Sequence, residues 1–430
     1  MIYQDRLLKV IPGGAHTYSR GYDQYPINAP QILKRGKGAY IYDANENEYL
    51  DYGMALRAVN LGYANEQINN AALQQMEFGN NLTKPSLVEL EAAELLVDLI
   101  DSVDMVKFTK NGSTATTAAV KLSRAYTNRM MVARCEEQPF FSYDDWFIGS
   151  TPIIKGISQK DIDNTKLFNY NNIESLEKLF EQYPTEIACV ILEPSASEHP
   201  KDNFLNKVKE LCHEYGAVFI LDEMITGFRW HLKGAQHYYD VTPDLCTFGK
   251  AMANGFSVAA VAGKREIMQL GSIEKEGQER LFLLSTTHGA EMNGLGAFVE
   301  SIKFIKENNV IEHIWDYGQK LIDLLNNTAK EFGIEKQFVA GGVECSPYYL
   351  TFDKDGNNSL GLRTLFAQEM IKSGVMMPWI AISYAHGEKE LEVTKKALEK
   401  TFEVYKKAVD EGYEKYLIGD VIKPVFRKYN

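Results

Sequence analysis

Short, uninterrupted apolar runs are the feature that most constrains how this chain can fold. Ile187 to Leu192 (IACVIL) and Ala217 to Leu221 (AVFIL) carry no polar residue, and Lys207 to Tyr215 between them has a helical pattern. Strands that lack a polar face are buried on both sides, and strands separated by helices pair in parallel. The sequence therefore predicts an α/β fold with a large, mostly parallel sheet flanked by helices.

The domain organisation follows from how the pattern changes along the 430 residues. Charged residues become more frequent from about Val299 onward, and long helical patterns such as Glu388 to Glu411 dominate there. We expect three parts: an N-terminal segment at 1–60 that packs on a small domain and the active site, a large domain at 61–298, and a smaller α+β C-terminal domain at 299–430.

Composition excludes several classes of protein. The net charge of −12 disfavours nucleic acid and anionic membranes as partners. We find neither a secretory signal nor an apolar run near the ~18 residues of a membrane helix. The five cysteines are scattered, which argues against a disulfide framework or a zinc site and for a reducing compartment. These features predict a cytoplasmic enzyme without a metal ion.

A glycine turn follows the predicted strand that ends near Phe108. Gly112, Ser113 and Thr114 lie where this turn enters a helix. Free N–H groups and the helix dipole make such a position suitable for a phosphate. An ordinary helix N-cap is the alternative when the segment is considered alone, and the spacing of a Walker loop is absent.

Two further segments carry reactive side chains at predicted strand ends. Asp222 follows the apolar run AVFIL, and Lys250 lies among small and apolar residues in TFGKAMANG. Alone, the first could be a solvated turn, and the second could extend its amine to solvent. Together with a phosphate cradle they fit pyridoxal 5′-phosphate (PLP), because a lysine can form the imine and an acid can keep the ring nitrogen protonated.

With these motifs the chain resembles the class III, fold-type I PLP aminotransferases, and in particular glutamate-1-semialdehyde aminomutase and its relatives. The resemblance extends from about Ile11 to Phe402, and LDEMITGFR and TFGKAMANGF are its most specific parts. It implies that Lys250 holds the cofactor as a Schiff base and that Asp222 pairs with the pyridinium nitrogen. It also implies that Met224 lies against one ring face and that Phe140 occupies the position of the family's stacking tyrosine.

The same resemblance assigns the remaining site residues. Gly112 and Ser113 match phosphate-binding positions, and Thr287 matches a threonine that reaches the phosphate of the partner subunit, which implies a homodimer with shared active sites. Arg20 matches a contact to the substrate carboxylate, where a guanidinium can bind in bidentate fashion. Arg57 is a second candidate anion contact, with surface ion pairing as its alternative. Glu193 should face the cavity in a role we do not assign.

Three departures from the aminomutase pattern bear on the reaction. The segment from Pro378 to His386 is about four residues shorter than its counterpart and lacks the glutamate that helps to retain the intermediate. Thr114 replaces a glutamate, and Leu56 replaces a tryptophan. An aminomutase must retain its intermediate, whereas a transaminase must release one product and admit a second substrate.

The sequence therefore favours a transaminase that moves an amino group from a donor such as glutamate to a keto or aldehyde acceptor. By analogy with similar family members, the acceptor could be a sugar or another precursor of a surface polysaccharide. An aminomutase is the alternative. A protein that binds PLP without turnover and a nicotinamide oxidoreductase are weaker hypotheses, the latter because no strand is followed by GxGxxG.

Overall fold

The computed structural model describes residues 3–195, 197–274 and 276–430. Its α-helices are Tyr3–Val10, Glu66–Glu77, Leu87–Leu99, Gly112–Thr127, Asp145–Ile148, Gln159–Asp163, Ile173–Gln182, Phe204–Glu214, Gly234–Tyr238, Arg265–Met268, Met292–Glu307, Val310–Glu331, Leu360–Lys372 and Glu388–Glu411. Short 3₁₀ turns are Pro12–Gly14, Tyr18–Arg20, Tyr22–Gln24, Lys250–Ala253, Gln269–Gly271 and Tyr413–Lys415.

The strands are β1 Leu33–Lys37, β2 Tyr40–Asp43, β3 Glu48–Asp51, β4 Met105–Thr109, β5 Met131–Cys135, β6 Thr165–Phe168, β7 Ile187–Leu192, β8 Val218–Glu223, β9 Leu245–Phe248, β10 Ala259–Gly263, β11 Phe338–Val343, β12 Ser346–Thr351 and β13 Val375–Met376. The described residues divide into two compact units, one formed by Met1–Asn65 with Glu312–Asn430 and the other by Glu66–Ile311. The domain boundaries expected from the sequence stay a prediction.

The second unit contains a sheet that, within the described residues, has seven strands in the order β4-β10-β9-β8-β7-β5-β6. The five strands from β9 to β6 pair in parallel, and β10 is antiparallel to both of its neighbours. Strands β7 and β8 are buried along their whole length. The two apolar runs singled out in the sequence thus form the centre of a mostly parallel sheet, as predicted.

Apolar helix faces cover this sheet. Phe180, Phe204, Val208 and Cys212 pack with the side chains of β5, β7 and β8 in one buried cluster. The helix Phe204–Glu214 is followed by Gly216, whose φ of +67° allows the tight turn into β8. Strand β8 is thereby fixed beneath the helix, and its carboxyl end is the part that carries functional side chains.

The first unit contains a sheet of order β1-β2-β3-β13 and the hairpin β11–β12, counted among the described residues. Helices Leu360–Lys372 and Glu388–Glu411 contribute Phe366, Phe402 and Tyr405 to an aromatic cluster around Phe338. Ring centroids in this cluster lie 4.8–6.2 Å apart, which is the range of favourable aromatic contacts. This cluster is the core of the unit.

Two features are absent from the described part of the chain. None of its helices is long and apolar enough to cross a membrane. Within residues 3–195, 197–274 and 276–430, no three His, Cys, Asp or Glu side chains are grouped so that they could hold a metal ion.

Candidate active site

The carboxyl ends of the parallel strands bring the predicted catalytic residues to one edge of the large sheet. Asp222 lies at the end of β8 opposite Thr247 of β9, and Lys250 follows β9 after one intervening residue. Glu193 follows β7, which is the other neighbour of β8. Ligands bind at this edge in open α/β sheets because the loops there enclose a crevice.

Asp222 is 2 % exposed, so its charge must be stabilised by the protein. Its Oδ1 accepts hydrogen bonds from the Met224 N–H (3.0 Å) and the Thr247 hydroxyl (2.9 Å). Burial raises the pKa of Asp222 to about 6, although the positive charge of Lys250 and these two donors lower it. Both hydrogen bonds end on Oδ1, so Oδ2 can accept a further donor.

Lys250 begins a short 3₁₀ turn with a φ of +45°, a left-handed conformation that a lysine rarely adopts. The residue before it, Gly249, is packed so tightly that a Cβ there would lie 2.6 Å from Met224 Sδ and 3.3 Å from the Ala259 side chain. Strained backbone at a non-glycine residue persists only where the surrounding structure imposes it. The packing around Gly249 therefore fixes the direction in which Lys250 leaves the strand.

Met224 connects the lysine turn to the glycine turn after β4. It packs with Ala115 and Ala259 in a small buried cluster. A Cβ at Gly112 would come within 2.8 Å of its sulfur, just as one at Gly249 would. The thioether therefore lies between the two turns, and a side chain at either glycine would press on it.

The glycine turn has the geometry of an anion site at a helix N-terminus. Asn111 caps the helix Gly112–Thr127 by accepting hydrogen bonds from the N–H (2.9 Å) and hydroxyl (3.0 Å) of Thr114. The first N–H groups of a helix have no acceptor within the helix, so those of Gly112 and Ser113 can bind a phosphate. The hydroxyl of Ser113 accepts the N–H of Tyr143 (3.1 Å) and can still donate its proton.

Glu193 is 4 % exposed, and its position is set by Gln138. The Gln138 side chain accepts the Glu193 N–H (2.7 Å) and donates to the Glu193 carbonyl (2.9 Å). This paired contact joins the loop after β5 to the loop after β7. The backbone that presents Glu193 is therefore held from both sides.

Phe140 and Thr287 are exposed in the single chain. The Phe140 ring is 48 % exposed and packs edge-on against Phe147 at 5.7 Å, which leaves a ring face open. Thr287 is exposed, and its carbonyl accepts a hydrogen bond from the Asn81 side chain (3.0 Å). The predicted roles of both residues stay predictions.

The first unit contains a cavity of about 560 Å³ whose lining includes Arg20, Tyr25, Leu56 and Trp379. Burial and the Asp51 carboxylate raise the pKa values of Tyr25 and Tyr63, and the positive charge of Arg20 opposes this at both phenols. The guanidinium thus lies near two aromatic hydroxyls in a partly apolar cavity. Such a combination suits an anionic group on an apolar body.

The wall of this cavity includes a left-handed turn at Met54–Arg57. All four residues have positive φ values, 38°, 48°, 62° and 68° in chain order, and none of them is glycine. A left-handed helical conformation costs roughly 1–2 kcal/mol for each such residue. Arg57, the second candidate anion contact, is a half-buried member of this turn.

Asp51, the last residue of β3, holds the left-handed turn in place. Its buried carboxylate accepts the N–H groups of Gly53 (2.7 Å) and Met54 (3.0 Å) and the hydroxyl of Tyr63 (2.7 Å). The Tyr63 hydroxyl in turn accepts the Ala55 N–H (2.8 Å). Burial raises the pKa of Asp51 against the lowering effect of its three donors.

The sequence reasoning missed four residues that the structure brings into these sites. Thr247 could have been found from the strand register, since it precedes Lys250 on the strand beside Asp222. Asp51 is the second of these residues, and the pattern Asp51-Tyr52-Gly53 is only a weak signal for a turn. Gln138 and Tyr63 act through the contacts described above, and we know of no sequence signal that would have identified them.

The second unit's residues fit the chemistry of PLP. A buried carboxylate with a free oxygen suits a protonated ring nitrogen, the Gly112 turn suits a phosphate, and Lys250 is a primary amine beside the acid. The two glycines pack closely against the Met224 side chain, which lies between the lysine turn and the glycine turn.

Comparisons with known proteins agree with this assignment. The model of the family described as aminotransferase class-III matches residues 18–346. The chain is 30 % identical over 411 residues to glutamate-1-semialdehyde 2,1-aminomutase from Francisella philomiragia, which covers 90 % of this chain and 94 % of the relative. It is 36 % identical over 329 residues to the enzyme of the same name from Thermosipho africanus, covering 74 % and 75 %.

Similar solved structures include FumI protein from Sphingopyxis sp. MTA144 in its PLP internal aldimine form, with a TM-score of 0.86, 26 % identity and coverage of 95 % and 97 %. An ω-transaminase from Sphaerobacter thermophilus has a TM-score of 0.82 and 25 % identity, covering 94 % of this chain and 97 % of its own. The predicted fold-type I architecture and the predicted cofactor, PLP, are confirmed as those of this group. The chain therefore belongs to the class III aminotransferase family.

Proposed function

We propose that this protein transfers an amino group from an amino acid donor, with glutamate as the expected donor, to a keto or aldehyde acceptor. The observation that carries the proposal is that Asp222 and Lys250 lie at the ends of two adjacent strands, at one edge of the sheet. The acid is fully buried, it interacts electrostatically with the lysine, and it has a free oxygen. A buried acid and an amine arranged in this way suit proton movement at a bound ring system.

The site residues of the second unit each have a defined task in this proposal. PLP, when bound, supplies the electron sink that stabilises negative charge on the substrate carbon. Lys250 holds the cofactor covalently and then moves the proton at its Nζ. Asp222 would pair with the protonated ring nitrogen, Gly112 and Ser113 would hold the phosphate with their backbone N–H groups, and Met224 and Phe140 would border the ring. Thr114 would lie at the phosphate site, with its own N–H and hydroxyl donated to Asn111.

The substrate contacts belong to the same proposal. Arg20 binds a carboxylate of the substrate, because a guanidinium fork matches the two oxygens of that group. Aromatic side chains in the lining of the cavity, such as Tyr22, Tyr25 and Trp379, support an acceptor with a flat or sugar-like body. Arg57 is proposed as a second anion contact. Glu193 is proposed as a further substrate contact, and we assign it no chemical step.

We also propose a cytoplasmic homodimer in which Thr287 binds the phosphate of the partner subunit. The single chain exposes large apolar side chains on two helices, with Leu73 at 54 %, Met76 at 50 %, Leu87 at 71 % and Leu90 at 54 %. An apolar surface of this kind favours burial against a second copy. Five buried free cysteines support a reducing compartment.

An aminomutase is the second candidate, and the names of the sequence relatives favour it. Against it stands the short segment from Pro378 to His386, which lacks an acidic residue. The two reactions differ in one respect that can be measured. The aminomutase isomerises a single amino aldehyde without any added amino donor.

The test is a visible spectrum of the purified protein before and after L-glutamate is added. We expect a yellow protein that loses its colour as 2-oxoglutarate is released. A yellow protein that ignores common amino donors but isomerises glutamate-1-semialdehyde would establish the second candidate instead. A protein that binds no PLP would overturn both.

Lys250→Ala is the variant that tests the role of the lysine. We expect it to abolish turnover and the yellow absorbance, because it removes the amine that forms the covalent link. Circular dichroism should show an unchanged fold. Full activity in this variant would contradict the assignment.

A further inference from the structure

The left-handed turn at Met54–Arg57 is unusual because four consecutive non-glycine residues adopt positive φ values. Residues in such conformations persist where neighbouring groups over-determine them, and they concentrate at functional sites. Ala55 and Leu56 of this turn are part of the lining of the cavity that contains Arg20. The position of this cavity wall therefore depends on whatever holds the turn.

Side-chain oxygens accept hydrogen bonds from the N–H groups of three consecutive residues at the start of the turn. Asp51 accepts those of Gly53 and Met54, and the Tyr63 hydroxyl accepts that of Ala55. Because an N–H can only donate, the Tyr63 hydroxyl must use its own proton toward Asp51, at 2.7 Å. The hydrogen-bond directions are thus fixed from Ala55 through Tyr63 to the carboxylate.

The other side of the turn is held as well. The Trp379 indole N–H donates to the Gly53 carbonyl at 3.1 Å, and this ring belongs to the same cavity lining. A Cβ at Gly53 would lie 2.9 Å from the Asp51 Oδ1, so the carboxylate folds closely over the start of the turn. The carboxylate, the phenol and the indole together leave the turn little freedom.

We propose that Asp51 and Tyr63 are positioning residues that hold the left-handed turn as a rigid wall of the substrate cavity, with Leu56 as the side chain that the wall presents to the substrate. This inference rests on the proposed function, since it assigns the cavity to the substrate. The class of ligand is a small keto or amino acid whose carboxylate lies toward Arg20. Asp51 and Tyr63 also line this cavity, and the positioning role proposed for them is exerted through the backbone of the turn.

The test compares Tyr63→Phe with Tyr405→Phe. Both variants lose a tyrosine hydroxyl in the first unit. Tyr63 is half-buried beside the turn, whereas Tyr405 is buried in the aromatic core, where it donates to the Gln337 carbonyl at 2.8 Å. Hydrogen–deuterium exchange of the segment 50–62 is measured on PLP-loaded protein. We expect Tyr63→Phe to accelerate exchange at Ala55 at least about tenfold, because that N–H loses its acceptor. We expect Tyr405→Phe to leave the segment unchanged.

Calorimetric binding of 2-oxoglutarate and pyruvate to the same samples is the second readout. Neither compound carries an amine, so both report binding without turnover. For whichever keto acid binds, Tyr63→Phe should raise Kd at least about fivefold, and Tyr405→Phe should not change it. Leu56→Ala should change Kd by a similar factor while exchange at Ala55 stays as in the natural protein, which separates the wall from the residues that hold it.

Each outcome decides one part of the argument. Equal exchange in both tyrosine variants would refute the positioning role. Unchanged Kd values in Tyr63→Phe and Leu56→Ala, or a natural protein that binds neither keto acid, would refute the cavity wall. If a keto acid binds and responds as expected but no donor is deaminated, the proposed function fails while this inference stands.

Discussion

Two buried aspartates, Asp222 in the second unit and Asp51 in the first, show how the same side chain can serve different purposes. Each lies at the end of a strand, and burial raises the pKa of each. Asp222 receives two hydrogen bonds, both on Oδ1, and interacts with Lys250. Asp51 receives three, all from residues 53 to 63 of its own chain, on both oxygens.

The difference lies in how much acceptor capacity the chain itself uses. A carboxylate has about four lone-pair positions, so Asp222 retains an oxygen for a ligand, whereas Asp51 is committed to backbone and phenol donors. A buried charge that is incompletely satisfied costs stability and is retained where a ligand completes it. A carboxylate such as Asp51, whose two oxygens both accept hydrogen bonds from the chain, holds the backbone in place.

The largest effect on turnover is expected from Asp222→Asn. Turnover should fall at least about 100-fold, because a charged partner of the developing charge is removed. The apoprotein should become more stable. The pKa of Asp222 in the folded protein, about 6, lies above its ordinary value of 3.8. Keeping this carboxyl ionised in the folded state therefore costs about 3 kcal/mol of stability, which the neutral amide does not.

The size of that stability gain depends on pH. Because the pKa of Asp222 is raised on folding, the folded state binds more protons than the unfolded state between pH 3.8 and about 6. The stability lost by burying the ionised carboxylate is therefore complete above pH 6 and absent below pH 3.8. Urea denaturation of the two apoproteins should show a gain for Asp222→Asn at pH 8 that shrinks toward pH 4. A pH-independent difference would contradict the assignment.

Asp51→Ala should have the opposite effect on stability. It leaves three buried donors without an acceptor and removes the support of a strained turn, so we expect a loss of about 3–5 kcal/mol in the free energy of unfolding. Asp43→Ala is the matched control. Asp43 also accepts three hydrogen bonds, from Asn45 and Asn47, but these residues are exposed and water can replace the carboxylate.

Urea denaturation at pH 8 compares the two variants. We expect Asp43→Ala to cost about 1 kcal/mol, since solvated donors lose little. Equal losses for both variants would show that the left-handed turn needs no special support.

Gly249→Ala is expected to have the smallest of the three effects, and it changes the site of Asp222 and Lys250 in the second unit. Its Cβ would press on Met224 Sδ at 2.6 Å, so we expect PLP affinity to fall about tenfold, or ~1.4 kcal/mol. Gly249→Ala combined with Met224→Ala should recover part of the loss, because the clash is with a removable side chain. Equilibrium dialysis with PLP measures both. Absence of any recovery would place the cost in the backbone instead.

The sequence predicted the site of the second unit far better than that of the first, for a physical reason. Parallel strands put all their carboxyl ends at one edge, so apolar runs alone indicate that Asp222, Glu193 and Lys250 converge. The glycine turn at Gly112 has a similarly local signature. The fold class and these placements were therefore within reach of pattern reasoning.

The first unit depends on contacts that no local pattern encodes. Nothing in the letters MALR predicts a left-handed turn, since each of the four residues ordinarily favours a right-handed helix. The conformation results from Asp51, Tyr63 and Trp379, which come from separate parts of the chain. Tertiary contacts overrode local preference here, and sequence reasoning had no means to see it.

The buried cysteines provide a way to observe how each unit opens. Cys135, Cys189, Cys212 and Cys246 belong to the second unit and Cys345 to the first, and all five are buried. Burial raises the pKa of Cys189 and Cys246 to about 12, so these thiols stay protonated and unreactive while the sheet is closed. A thiol-specific label followed by peptide mapping would therefore record the opening rate of each unit separately in one sample, with the protein's own residues as reporters.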